Sequence, residues 1–305
     1  RIGKNIFLNT YYLAIFGLVF TTFIWGITFE IVEESLKSIP PNIFNAIRFL
    51  IAAFCTFVAL IFKNRKITIS KFEFKAGIVC ATLLALGYFF QSLGLWENNI
   101  YLKSDPNKSA FITGSSVLMV PIIMYFMNKG KISKHLWISI FFVLLGMAIL
   151  LNPNVEKFTF GDLLTFFCAT SFATHIIFQG DYLRNGVEGI FSFFLAQTIF
   201  ASFLFSIPAI LEFNYLVSSI EFNSTVLSGL FITGVFGTFI AIMIMVWAQK
   251  IVSPIQTAMI FSMEPVFAGL YNHYFTDHVL TNWGIFAGFI IVLSIIYHEY
   301  KMSEA

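Results

Sequence analysis

The chain has 305 residues, 58% of them hydrophobic and 11% charged, with a mean hydropathy of +0.84 and a formal net charge of +2. Soluble domains carry about 25% charged residues, so this composition cannot keep a protein surface wet and calls for lipid as the solvent. The small net charge and the lack of a basic stripe give no nucleic-acid signal.

A helix needs about 20 apolar residues to cross a hydrocarbon core of about 30 Å. In chain order the apolar runs are 11–30, 42–62, 74–95, 108–127, 135–151, 161–178, 190–210, 224–248, 255–273 and 281–298, ten candidate spans joined by mostly short loops. Each run is continuously apolar, whereas a membrane strand alternates sidedness over about 10 residues, so helices are expected. The first run follows Arg1, Lys4 and Asn5 without a small-residue cleavage site behind it, and reads as a retained helix rather than a signal peptide. Cys55, Cys80 and Cys168 all fall inside apolar runs without metal-ligand spacing, and read as buried free thiols.

Two segments nearly repeat each other: Pro106-Asn107-Lys108-Ser109-Ala110-Phe111-Ile112 and Pro254-Ile255-Gln256-Thr257-Ala258-Met259-Ile260, 148 positions apart (254 less 106). The order of runs and loops around them also repeats, which divides the chain into 1–155 and 156–305, each with five spans. The expected architecture is an all-α integral membrane protein of ten transmembrane helices arranged as two inverted five-helix repeats. An odd number of spans per repeat turns the second half upside down, the arrangement in which a central site faces either side by rocking.

Basic residues set the orientation. The termini and the 2–3, 4–5, 6–7 and 8–9 loops hold Arg1, Lys4, Lys63, Arg65, Lys66, Lys71, Lys75, Lys129, Lys131, Lys134, Arg184, Lys250 and Lys301. The opposite loops hold only Lys37, Lys103, Lys108 and Lys157, and Arg48 lies within a span. Both termini are therefore expected on the cytoplasmic side of the inner membrane, with the first half voting more strongly than the second.

Ionisable groups inside spans are costly to bury, so each needs a reason. Glu264 lies mid-span in the ninth run, and Thr257, Phe261, Glu264, Ala268 and Tyr271 fall at helical spacing as one polar-marked face. Glu264 is a candidate partner for a cationic group or a proton; helix-to-helix bonding beside Pro265 is the bland alternative. His175, with Ser171 and Phe178 on its face, titrates near neutral pH and would suit proton coupling, or would bridge two helices. Arg48, seven residues into span 2, would hold a carboxylate at the outer mouth, snorkel to the interface, or pair with Glu30 or Glu33. Trp25, Tyr88, Gln91, Thr113 and Ser116 are wall candidates for a solute with an apolar body and a polar head. Trp25 is also placed near an interface, where tryptophan collects. Gly161-Asp162 reads as a helix start, His273 as a wet outer residue, and Pro121, Pro208 and Pro265 as kinks. A small-residue face from Gly284 to Gly288 suits either pairing of copies or internal packing, so a monomer or a homodimer is open.

Trp25-Gly26, Arg48-Phe49, Gly87 to Leu95, Lys108 to Gly114 with Val120-Pro121, Gly161-Asp162-Leu163-Leu164, and Trp247 to Lys250 leading to Phe261 to Ala268 follow one another in a set order and spacing. In these stretches the chain resembles the EamA-type, ten-helix members of the drug/metabolite transporter superfamily. The likeness covers roughly residues 11 to 298. Two features depart from it: a longer 3–4 loop from Trp96 to Asn107, and Asp277-His278 where members often carry Gly-Glu. The resemblance implies a permease for small organic solutes, with export common. The residues make an amino acid or an amine the expected cargo, with protons as a possible coupling ion and no cofactor or metal. An enzyme is disfavoured because Asp105, Asp162, Asp181 and Asp277 lie in loops or at span ends, apart from any nucleophile and base. A channel lacks its charged rings, and the absence of a Gly-x-x-x-x-Gly-Lys-Ser/Thr loop disfavours ATP-driven pumping.

Overall fold

A computed structural model describes residues 2–64, 68–96, 104–129, 133–153, 158–216, 220–275 and 280–304. The expected boundary between the halves at 155/156, most of the longer 3–4 loop, and Asp277-His278 lie outside the described residues.

The described chain is helical throughout. Spans 1 to 3 are α1 (Ile2–Leu36), α2 (Pro41–Asn64) and α3 (Lys71–Leu95). Span 4 is two pieces, α4 (Pro106–Gly114) and α5 (Ser116–Phe126). Spans 5 to 7 are α6 (Lys134–Leu151), α7 (Phe160–Asn185) and α8 (Ile190–Leu216). Span 8 runs through α9 (Ser224–Phe231), a π-helical stretch (Ile232–Ile240) and α10 (Ala241–Ala248). Span 9 is again two pieces, α11 (Pro254–Phe261) and α12 (Glu264–Phe275), and span 10 is α13 (Asn282–Glu304). Among the described residues, nine of these spans, all but span 9, are long and apolar enough to cross a bilayer.

The repeated heptapeptides now have a physical cause. Each is a helix start, with proline at the first helical position and a capping side chain before it. Asp105 Oδ1 accepts from Lys108 N at 3.0 Å and Ser253 Oγ from Gln256 N at 3.3 Å. Proline lacks the amide that a helix start leaves unbonded, so it costs nothing there.

The halves interlock rather than sit side by side. Span 2 packs on span 7 and span 5 on span 10, joining the same element of each half. Span 3 packs on spans 6 and 7 just as span 8 packs on spans 1 and 2, and span 4 meets span 6 as span 9 meets span 1. Exchanging the halves therefore leaves the contact pattern unchanged, as two inverted five-helix repeats require. The outer faces are apolar: Phe16, Phe54, Phe62, Phe141, Phe203 and Phe289 all point away from the protein, where lipid is their solvent. A polar core holds the two ends of the bundle. Asp162 caps α7 through Thr159 and also takes Lys108 Nζ at 2.9 Å and Ser104 Oγ at 2.5 Å.

Several expectations change here. Pro265 is not a kink inside a helix but stands in the first turn of α12, and α8 continues through Pro208. α1 extends to Leu36, so Trp25 lies deeper than an interfacial position. His273 is half-buried and accepts from Leu280 N at 3.2 Å. The Gly284–Gly288 face is buried against the chain's own Leu150 and Val266, which assigns it to internal packing.

Candidate functional site

Span 9 breaks at Ser262-Met263, and its repeat counterpart, span 4, breaks at Ser115. Both breaks lie beside a central cavity of about 630 Å³ that α1, α3 and α7 also line. A broken helix is tolerated at membrane depth only where it lines such a space or is buried in protein. Gly26 brings α1 hard against the restarted piece. A Cβ there would lie 2.8 Å from Phe267 Cβ and 2.9 Å from the backbone of Glu264 and Ala268.

Glu264, the first residue of α12, lines the cavity, and no hydrogen bond or ion pair from another described residue reaches its carboxylate. Ser116, the first residue of α5, lines it too. Trp25, Arg48, Tyr88, Gln91, Thr113, His175 and Phe261 complete the expected set that the fold gathers around one space. Two edge-on aromatic pairs build much of the wall: Trp25 with Phe261 at 4.8 Å and Tyr88 with Phe172 at 5.3 Å between ring centroids.

Tyr271 does not join them. The lining face of α12 runs through Glu264, Pro265, Ala268, Gly269 and Asn272, so Glu264 stands at its edge, and Tyr271, just past that edge, stacks on Phe275 instead. Thr257 also leaves the expected face; it is buried and donates to Ser253 O at 2.9 Å. Arg48 neither snorkels nor pairs with Glu30 or Glu33. It is buried in the wall, donates from Nε to Thr238 Oγ1 at 3.1 Å, and lies over the Tyr88 ring. His175 Nε2 is 3.0 Å from Gln197 Nε2 across α7 and α8, which fits the tautomer carrying its proton on Nδ1.

The π-helical stretch is the element that sequence reasoning misses. Such stretches bond from residue i to i+5 and occur frequently at functional sites. Gly237 O accepts from Trp25 Nε1 at 2.8 Å, and Thr238 receives Arg48, so one short segment orients two wall residues. The small residues Thr233, Gly234, Gly237 and Thr238 inside an apolar run were the available signal.

The cavity extends toward the end where spans 1, 4 and 10 meet their connections, with Glu30, Glu33, Asp105 and Leu280 in its lining. At its other end Ile176 and Met245 form the floor. Beyond them Gln179 donates to Gln249 Oε1 at 2.8 Å and Gln249 donates to Ile176 O at 3.0 Å, closing α7 on α10. Further out, Lys129 pairs with Asp181, Arg184 donates to Val252 O at 3.3 Å, and Tyr11 bonds Glu299 and Gln256.

A central cavity at broken helices in a bundle of apolar spans is the architecture of a multi-pass membrane transporter of small molecules. The chain belongs to the EamA-like transporter family of the drug/metabolite transporter superfamily, which matches residues 12–152 and again 159–298. An uncharacterized transporter of Archaeoglobus fulgidus is 31% identical over 280 residues, covering 92% of this chain and 83% of that one. The uncharacterized transporter YoaV of Bacillus subtilis is 23% identical over 167 residues, covering 53% and 56%. A solved structure described only as a crystal structure of a protein superposes with a TM-score of 0.75 at 15% identity, covering 92% of this chain and 94% of that one. That last likeness speaks to the fold alone.

Proposed function

We propose that this transporter moves a small metabolite of the amino-acid or amine class across the inner membrane by alternating access, in the export direction. Glu264 carries the reading. A carboxylate at membrane depth costs a few kcal/mol unless something compensates it, and no described side chain does so. A cationic amine entering the cavity supplies the missing partner, and Glu30, Glu33 and Asp105 in its lining favour cations along the way.

The closed end carries Lys129, Arg184 and Lys250, so the positive-inside rule puts it in the cytoplasm together with both termini, and the cavity faces outward. The inverted halves, taken as 1–155 and 156–305, supply the opposite state by exchanging conformations. A proton bound at Glu264 in the absence of substrate is the coupling ion this arrangement suits. The cavity lies within one chain, so a monomer suffices for the path.

The test is a metabolite screen by thermal shift, because a ligand that binds only the folded protein raises its apparent stability. Amines and amino acids are expected to stabilise the wild type and not Glu264→Gln. Stabilisation that survives the substitution removes Glu264 from the site.

A further inference from the structure

Arg48 is the second charged group of the cavity wall, and its surroundings hold it for something that the protein does not supply. Its side chain belongs to a residue only 3% exposed. Nε is taken by Thr238 Oγ1 at 3.1 Å, and Thr238 gives its own proton to Thr233 O at 2.8 Å, which leaves a lone pair for the guanidinium. The Tyr88 ring lies beneath, its centroid 4.7 Å from Arg48 Cζ. Position and plane are thus fixed from two sides.

The guanidinium also bonds the Tyr88 side chain, a neutral partner, and no described carboxylate forms an ion pair with Arg48, so N–H groups on Nη1 and Nη2 remain for a further acceptor. A buried charge without a counter-charge is unfavourable, so its retention calls for a partner that comes and goes. Two parallel N–H donors in one plane match the two oxygens of a carboxylate. Glu264 shares the cavity without pairing with Arg48, so both signs of charge stand ready at once.

We infer that Nη1 and Nη2 of Arg48 form the carboxylate anchor of the cargo, which is therefore a zwitterionic, apolar amino acid rather than a simple amine. The inference rests on the cavity being the substrate site, with the carboxylate on Arg48, the amine on Glu264, and the apolar side chain among Trp25, Tyr88, Phe172 and Phe261. Arg48 here stands inside the binding site rather than at its mouth, and Thr238 acts as its positioning residue.

The experiment measures binding to the purified full chain for L-leucine, L-methionine and L-phenylalanine. Each is compared with its decarboxylated amine and its deaminated acid (for leucine, 3-methylbutylamine and 4-methylpentanoate). At least one amino acid is expected to bind the wild type about tenfold or more tighter than its amine, because a site built for a polar group rejects the analogue lacking it. Arg48→Gln is expected to erase that preference by weakening the amino acid alone. Thr238→Val is expected to reduce it in the same direction, and keeps the test available should Arg48→Gln not fold. Equal binding of amino acid and amine by the wild type, or a preference that survives Arg48→Gln, overturns the anchor while leaving the amine reading of Glu264 intact. Binding of the acid equal to the amino acid and indifferent to Glu264→Gln supports the anchor and refutes the amine reading. Binding of none of the nine compounds overturns both.

Discussion

Glu264 and Ser116 occupy the same place in the two halves, 148 positions apart (264 less 116), each the first residue of a helix that restarts at mid-span and each in the cavity wall. The backbone is symmetric at this point and the charge is not. In the first half Ser116 leaves that place neutral. A single negative centre in a two-fold frame gives the substrate one orientation rather than two.

Because Glu264 has no partner to lose among the described residues, Glu264→Gln is expected to fold normally and to melt at the same temperature as the wild type or a few degrees higher. Differential scanning fluorimetry in detergent checks this. A fall of several degrees would mean that the carboxylate holds two helices together.

Gly26→Val tests whether the approach of α1 to α12 shapes the cavity. The added atoms meet the Phe267 side chain and main-chain atoms of Glu264 and Ala268, and backbone does not yield as a side-chain tip does. The expected cost is about 1–3 kcal/mol, the range for overpacking, together with weakened ligand binding. Gly288→Ala is the control: its new methyl would be 3.6 Å from Val266 Cγ1, ordinary contact, and is expected to be neutral in the same melt.

Lys108→Met removes the ammonium from Asp162, whose side chain is fully buried. Stranding a buried charge costs about 3 kcal/mol or more, even though Ser104 and the Thr159 amide remain bonded to it. Urea or thermal unfolding of the variant beside Lys108→Met with Asp162→Asn measures the rescue expected when the stranded charge is also removed.

Cysteine labelling reads which end is open. In a background without Cys55, Cys80 and Cys168, Ser116→Cys is expected to react with a membrane-impermeant thiol reagent added outside. Gln179→Cys, beyond the cavity floor, is expected to stay unreacted. Reaction at neither position would turn the protein over in the membrane, and the reverse pattern would mean that the other end of the bundle is the open one.

The apolar runs and the repeated helix starts made ten spans and their doubling legible from composition and spacing alone, and an ionisable residue in lipid marked Glu264 without any structure. What the sequence hid was phase and partnership. The break at Ser262-Met263 falls on residues that are not helix breakers, so one continuous face was read where two helices meet; within α12 the lining face is centred beside Glu264, which takes in Asn272 and leaves Tyr271 out. Gln197 comes to His175 from the next helix, and Thr238 reaches Arg48 from 190 positions away. Such pairings arise from tertiary packing and leave no local pattern. The π-helical stretch that orients Trp25 and Arg48 carries only a cluster of small residues as its mark.

The central claim is that an amine-bearing solute crosses through this cavity at the expense of its contact with Glu264. The most direct measurement is exchange of labelled amino acids and amines across vesicles containing the purified protein. The account predicts protein-dependent exchange for at least one of them, abolished by Glu264→Gln at unchanged protein content and orientation. Exchange of a solute without an amine, undiminished in Glu264→Gln and uncompeted by any amine, would contradict it.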